Sequence, residues 1–262
     1  MKLVDGQKLA KKIEARLKRS KNKGGLGVIL VGQNPESHLY VKLKERAASR
    51  AGIYFEKHLY PEKAKENEIL KKIKELNINK KITGIIVQLP LPKNLNTDKI
   101  IKTINPEKDA DGYHPENIKK FQNGIFPFLP PVLGAVAEIL NSVKSNWKKK
   151  KIILVSNSKI FPLPFKSFFG KNLSVCKFRD IKEYLPKADI IITAIGKKQY
   201  LKSGFIKKGA GIIDVGIKRE NKKIYGDADP VSLAKKAAWL TPVPGGVGPL
   251  TVACLLNNTI KK

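Results

Sequence analysis

Short apolar runs alternate with segments of helical period along nearly the whole chain, and this rhythm restricts the fold more than any other feature. Val28–Val31, Ile53–Leu59 and Ile85–Val87 read as strands in the first third. Ile152–Val155, Val175–Phe178, Ile190–Ala194 and Gly211–Val215 resume the pattern after residue 150. Between them, residues 5–19, 37–51 and 66–76 have the spacing of amphipathic helices, and another helix is expected near Ala135–Val143. Strands separated by helices cannot pair as hairpins, so they form parallel sheets with helices packed on their faces. The fold class is therefore α/β, with a second half that has the cadence of a doubly wound, Rossmann-type domain. Gly24-Gly25-Leu26-Gly27 is expected to be a turn, and residues 105–131 a long irregular connector.

The stretch Thr241-Pro242-Val243-Pro244-Gly245-Gly246-Val247-Gly248-Pro249-Leu250-Thr251 breaks that rhythm. Three glycines and three prolines suit neither a helix nor a central strand. They are expected to make a stiff loop that lets a ligand approach the backbone, opening into a helix at Val252–Leu256.

Composition narrows the class. At 262 residues the chain suits two domains, and no apolar run approaches the roughly 20 residues of a membrane span. Met1–Gly6 lacks the apolar core of a signal peptide, and Cys176 and Cys254 are too few for a disulfide framework, so a cytoplasmic enzyme is expected. The net charge of +30 invites a nucleic-acid reading, but six arginines leave 46 lysines spread over every segment. Arginine reads base edges and bidentate phosphates, so this distribution fits general lysine enrichment better. The charge would still attract a small polyanion.

Four polar residues carry chemistry. Tyr40 and Lys44 are four apart on one helix face, a spacing also common in solvated pairs. Gln88 ends the buried strand before Leu89-Pro90-Leu91-Pro92, where open α/β sheets place ligands. Asp109-Ala110-Asp111-Gly112 is a tight acidic turn without the further carboxylates of a calcium loop, so no metal is expected. Asp111 is instead suited to accept hydrogen bonds from the amine-and-amide edge of a heterocycle.

These motifs together resemble the bifunctional methylenetetrahydrofolate dehydrogenase/methenyltetrahydrofolate cyclohydrolase family. The carriers are Ser37–Lys44, Gly84–Pro92, Lys108–Pro115, Gly209–Ile217, Gly226–Asp229 and the 241–251 loop, in that order over almost the full length. The resemblance implies an N-terminal three-layer α/β folate-binding catalytic domain over residues 1–136, completed by 250–262. A Rossmann-type NADP-binding domain over 137–249 faces it across a cleft, and the C-terminal helix returns to the N-terminal domain. It further implies oxidation of 5,10-methylenetetrahydrofolate with NADP⁺ and hydration of the product to 10-formyltetrahydrofolate, in one-carbon metabolism, by a homodimer. Lys44 is then the central catalytic residue, Gln88 its partner, Tyr40 a wall for the folate ring and Asp111 the holder of the pterin edge. Leu89, Pro244, Gly245 and Gly246 complete the substrate side. Ser156, Asn157, Ser158, Gly196, Ile217 and Thr251 contact the cofactor, with NAD as the lesser possibility.

The chain departs from the family pattern on the cofactor side. Ser156 and Pro162 stand where the turn normally has glycines, Phe165–Lys171 is shortened, and Leu129-Pro130-Pro131-Val132 replaces Pro-Cys-Thr-Pro. Each glycine replacement is expected to obstruct phosphate approach or helix packing. That asymmetry leaves room for a cyclohydrolase with a degenerate dinucleotide site. Lys177 and Arg179 are candidates for a 2′-phosphate contact. A lysine-rich nucleic-acid-binding protein on an enzyme scaffold is the remote alternative, and it leaves Tyr40, Lys44, Gln88 and Asp111 without a purpose.

Overall fold

The computed structural model describes residues 1–144, 146–221 and 223–260, which divide into two compact units. One contains residues 11–120, 126–131 and 252–260, and the other the described residues of 1–10, 121–125 and 132–251.

The first of these is built on a three-stranded parallel sheet in the order β3-β2-β4, comprising β2 (Gly25–Val31), β3 (Tyr54–Tyr60) and β4 (Gly84–Val87). β2 and β4 are buried along their whole length, as the continuous apolar runs require of central parallel strands. Helices α1 (Gly6–Arg19), α2 (Pro35–Ala51) and α3 (Glu66–Ile78) alternate with the strands. Asn34 caps α2 by accepting from the N–H groups of Glu36 and Ser37, and Gly52 ends it in the left-handed region at φ 69°. Ile69, Ile73 and Leu76 of α3 pack on Ile29, Ile85 and Val87 in one core.

The expected turn at residues 24–27 is instead largely strand. Gly25 and Gly27 lie in β2, paired with Tyr54 and Glu56 of β3, and Gly25 has a backbone neighbour where a side chain would go. A Cβ on Gly25 would lie 1.9 Å from the Lys81 carbonyl oxygen. Gly25→Ala should therefore cost about 3 kcal/mol, because a backbone contact cannot be relieved by a rotamer change. A lowered urea midpoint for the variant checks this.

The long connector is also more ordered than expected. It holds α5 (Pro115–Gln122) and the start of α6 (Pro131–Ser142), and α4 (Thr97–Lys102) lies just before it. Its Lys108–Ala110 segment runs parallel beside β4, with the Ile85 N–H donating to Lys108 O at 2.6 Å. The last helix, α10 (Val247–Ile260), closes this unit with its C-terminal part. Asn258 Nδ2 donates to Ala110 O and Leu129 O, and Thr83 Oγ1 donates to Thr259 O at 2.7 Å.

The second unit has a six-stranded, all-parallel sheet in the order β1-β11-β8-β7-β5-β6. Its strands are β1 (Lys2–Leu3), β5 (Ile152–Val155), β6 (Leu173–Cys176), β7 (Ile190–Thr193), β8 (Gly211–Asp214) and β11 (Trp239–Leu240). Short helices α7 (Pro162–Phe169), α8 (Ile181–Tyr184) and α9 (Pro230–Leu233) connect them, and β9 (Lys218–Glu220) and β10 (Lys223–Tyr225) form a separate hairpin. From β5 the chain moves outward to β6 and then back to β7 on the other side, which creates a topological switch point at the β5 and β7 carboxyl ends. The strand expected at 175–178 begins two residues earlier.

The boundary differs from residue 136 at the start of the chain. Lys2 and Leu3 pair with Trp239 and Leu240, so the first residues complete the six-stranded sheet rather than the three-stranded unit. The 241–251 stretch also divides. Residues 241–246 form the loop, whereas Gly248 and Pro249 lie in the first turn of α10, where a proline lacks no needed N–H. Among the described residues no helix is long and apolar enough to cross a membrane.

Candidate active site

α2 and the carboxyl end of β4 bring the folate-side residues of the sequence reading together. Tyr40 and Lys44 project from one face of α2, both partly buried. Lys44 Nζ donates to Gln88 Oε1 at 2.7 Å, and Gln88 Nε2 donates to Leu89 O at 2.8 Å. Gln88 is only 9% exposed, so both ends of its amide are committed. The Leu89 carbonyl takes the amide nitrogen, which leaves the oxygen aimed at Lys44 and fixes the orientation of the ammonium. The Leu89–Pro90 peptide is cis.

Asp111 comes from the turn that follows the β4-side segment. Asp109, 2% exposed, organises that turn: its carboxylate accepts from Gly112 N at 2.9 Å, His114 N at 2.8 Å and Asn117 Nδ2 at 2.9 Å. Gly112 has φ 81°, a conformation that favours glycine. Asp109 is thus a structural acid whose carboxylate is committed to the turn. The first carboxylate of the Asp-Ala-Asp-Gly motif was not singled out by the sequence, although the motif itself was.

The electrostatics couple Lys44 and Asp111. Burial lowers the Lys44 pKa, and the nearby Asp111 charge partly offsets this. Burial raises the Asp111 carboxyl to about 6, against the attraction of Lys44 and with a further push from Asp109. A lysine held in place by an amide, with its pKa lowered by burial, gives up its proton more readily than a free lysine.

The second unit holds the cofactor-side residues. Ser156 and Asn157 follow β5 directly. Ser156 is buried, and its hydroxyl accepts from Ser158 N at 3.2 Å. A serine in the usual glycine position therefore shapes the turn from within instead of blocking it. Ser158 Oγ in turn accepts from Ile160 N at 3.3 Å and Phe161 N at 3.1 Å. Leu163 N donates to Ile160 O, and Pro162 and Pro164 have no N–H. The N–H groups of Ile160, Phe161 and Leu163 at the entrance to α7 are thus satisfied within the protein. Asn157 Oδ1 accepts from Phe178 N at 3.2 Å, tying this turn to the exposed Lys177 and Arg179 beyond β6.

Gly196 follows β7 with φ 75°, and the Ile217 carbonyl oxygen would lie 3.4 Å from a Cβ placed there. Ile217 is largely exposed. Thr251 returns its hydroxyl to Val247 O at 3.0 Å, one turn back along α10. In the 241–246 loop the Val243–Pro244 peptide is cis, Gly245 has φ 104° and accepts from Gln7 N at 3.1 Å. Gly6 and Gly246 meet backbone to backbone, since a Cβ on Gly6 would lie 1.8 Å from Gly246 O. The switch-point crevice is where a doubly wound sheet takes a ligand, and left-handed Gly196 lies at the end of β7 beside it.

The comparisons agree over both units. The family described as "Tetrahydrofolate dehydrogenase/cyclohydrolase, catalytic domain" matches residues 4–111, and its "NAD(P)-binding domain" counterpart matches residues 130–262. The "Bifunctional protein FolD" of Nautilia profundicola is 40% identical across 100% of this chain and 96% of its own length. The crystal structure of the bifunctional FolD methylenetetrahydrofolate dehydrogenase/cyclohydrolase from Campylobacter jejuni superposes with a TM-score of 0.94 at 37% identity, covering 100% of this chain and 98% of that one. The Trypanosoma brucei FolD structure, complexed with NADP cofactor and inhibitor, has a TM-score of 0.91 at 29% identity, covering 99% and 96%. From its Lys44–Gln88 pair to its parallel six-stranded sheet, the chain belongs to the bifunctional tetrahydrofolate dehydrogenase/cyclohydrolase family.

Proposed function

We propose that this chain oxidises 5,10-methylenetetrahydrofolate with NADP⁺ and hydrolyses the resulting 5,10-methenyltetrahydrofolate to 10-formyltetrahydrofolate. The observation that carries this reading is the Lys44 ammonium held on Gln88 and coupled to the buried Asp111 carboxyl. The methenyl carbon is already cationic, so hydration needs a positioned water and a route for protons more than a strong nucleophile. Water adds to that carbon, its proton leaves, the carbon–N5 bond breaks, and N5 regains a proton. Lys44 is placed to relay these protons, and Gln88 keeps it in register. Asp111 accepts hydrogen bonds from the pterin amine-and-amide edge, and Tyr40 and Leu89 wall the ring; Pro244, Gly245 and Gly246 are the further substrate residues that the family resemblance implies.

NADP⁺, when bound, supplies the acceptor for the hydride of the methylene carbon. Ser156, Asn157, Ser158, Gly196, Ile217 and Thr251 would hold it, with Lys177 and Arg179 toward its 2′-phosphate. The spent N–H groups at the start of α7 favour the second reading, a cyclohydrolase with weak dinucleotide binding. A cytoplasmic homodimer acting on polyglutamylated folate completes the reading, which the lysine-rich surface supports through its attraction for a polyanionic tail.

The test is direct. Supplied with 5,10-methenyltetrahydrofolate and no nucleotide, the protein should produce 10-formyltetrahydrofolate well above the uncatalysed rate; no acceleration would refute the assignment. The pH profile is a further expectation. Asp111 must be ionised to accept the pterin donors, and its carboxyl is raised to about 6. The kcat/KM should therefore rise with pH through about 6 in the free enzyme and fall below it. Asp111→Asn should lack this acid limb.

A further inference from the structure

Two buried carboxylates in the second unit have no part in the chemistry above. Asp227 is 0% exposed and receives three donors: Thr193 Oγ1 at 2.7 Å and Ile195 N at 2.7 Å on one oxygen, and Lys197 N at 2.8 Å on the other. Asp214, 2% exposed, accepts from Gly216 N at 3.0 Å, Asp227 N at 3.1 Å and Ala228 N at 2.8 Å. Each acid also rests on a glycine of the opposite segment. A Cβ on Gly216 would lie 2.1 Å from the Asp227 carboxyl carbon, and one on Gly226 would lie 2.0 Å from an Asp214 oxygen.

The donors are not scattered. Ile195 and Lys197 flank Gly196, and Gly216 precedes Ile217, whose carbonyl faces Gly196. The two acids thus fix both backbone segments that line the β7 side of the switch point. Backbone bonds tie the neighbouring stretch, Gln199 N donating to Gly226 O and Leu201 N to Asp227 O, whereas the Ile195 and Lys197 amides are held by the Asp227 side chain. Burying a carboxylate is costly unless its donors are all in place, so this pair demands one geometry of the loop.

We propose that Asp227, braced by Asp214, is a positioning residue for the dinucleotide, holding the 195–197 and 216–217 backbone in binding geometry before the cofactor arrives. This rests on the reading of the second unit as the NADP⁺ site. Preorganisation of this kind acts on affinity, because a loop that must be ordered on binding loses its ordering cost from the binding energy.

The experiment is calorimetric titration of the full-length protein with NADP⁺ alone, comparing wild type, Asp227→Asn and Tyr200→Phe. In Asp227→Asn an NH₂ group faces backbone N–H donors, so the NADP⁺ Kd should rise at least tenfold. Nucleotide-free cyclohydrolase activity should stay within twofold. Tyr200→Phe removes the 2.6 Å Tyr200–Thr193 bond but leaves the Asp227 bonds to the loop. It should lower the Tm and leave Kd unchanged. Amide hydrogen exchange in the wild type needs no variant: the Ile195 and Lys197 amides should be protected without cofactor. An unchanged Kd in Asp227→Asn overturns the proposal, as does an equal rise in Tyr200→Phe. Amides that become protected only after NADP⁺ binds also overturn it. A wild type that does not bind NADP⁺ overturns the dehydrogenase reading beneath it as well, and so is distinguishable.

Discussion

Lys44→Met should lower cyclohydrolase turnover by about two to four orders of magnitude, the range contributed by a positioned acid–base group. Methionine nearly preserves the length and apolar stem of lysine, so α2 and its packing should survive the change. The variant leaves Gln88 Oε1 without its 2.7 Å donor but removes no backbone contact. Hydride transfer should fall much less, by about tenfold or below, because that step requires alignment of two reactants rather than a proton relay. Rates measured separately with methylene and methenyl substrates on one preparation check this. Equal losses in both would make Lys44 a binding residue, and no loss in the second would remove it from the hydration step.

Asp111→Ala should raise the Michaelis constant for folate by about 100-fold in both reactions. A carboxylate accepting two hydrogen bonds contributes about 1.5–3 kcal/mol per bond, and each 1.4 kcal/mol is a tenfold change in affinity. The lower end of that range already gives the stated effect. Asp111 holds the part of the ligand that does not react, so its loss should affect the two activities alike, unlike the loss of Lys44. Asp111 also raises the Lys44 pKa, so its removal should move the Lys44 titration further down. A shared rise in both Michaelis constants supports the role. A rise confined to one reaction contradicts it.

Much of this was legible in the chain because the relevant signals are local. The strand at Gly84–Val87 ends at Gln88 by simple apolar run length, and Tyr40 and Lys44 share a helix face by spacing alone. Other features depend on distant backbone. The glycines at 25 and 27 resemble a turn in sequence, yet Gly25 is strand because it pairs with Tyr54, and Lys81 O leaves no room there for a Cβ. Lys2–Leu3 gives no sign that its partner is Trp239–Leu240, more than 230 residues away. Ser156 looks like an obstruction where glycine is expected, whereas its hydroxyl serves the turn by accepting from Ser158 N. The acids at 109, 214 and 227 were visible only as members of motifs. Their roles lie in which distant N–H groups point at them, and pattern cannot supply that.

The most direct test of the account is oxidation of 5,10-methylenetetrahydrofolate by the purified wild-type protein at saturating NADP⁺, with NAD⁺ alongside. The account predicts turnover with NADP⁺ exceeding that with NAD⁺, showing that a turn built by Ser156, Ser158 and Pro162 still presents a dinucleotide. No turnover with either nucleotide, from protein that hydrates the methenyl substrate normally, would contradict it and leave a cyclohydrolase alone.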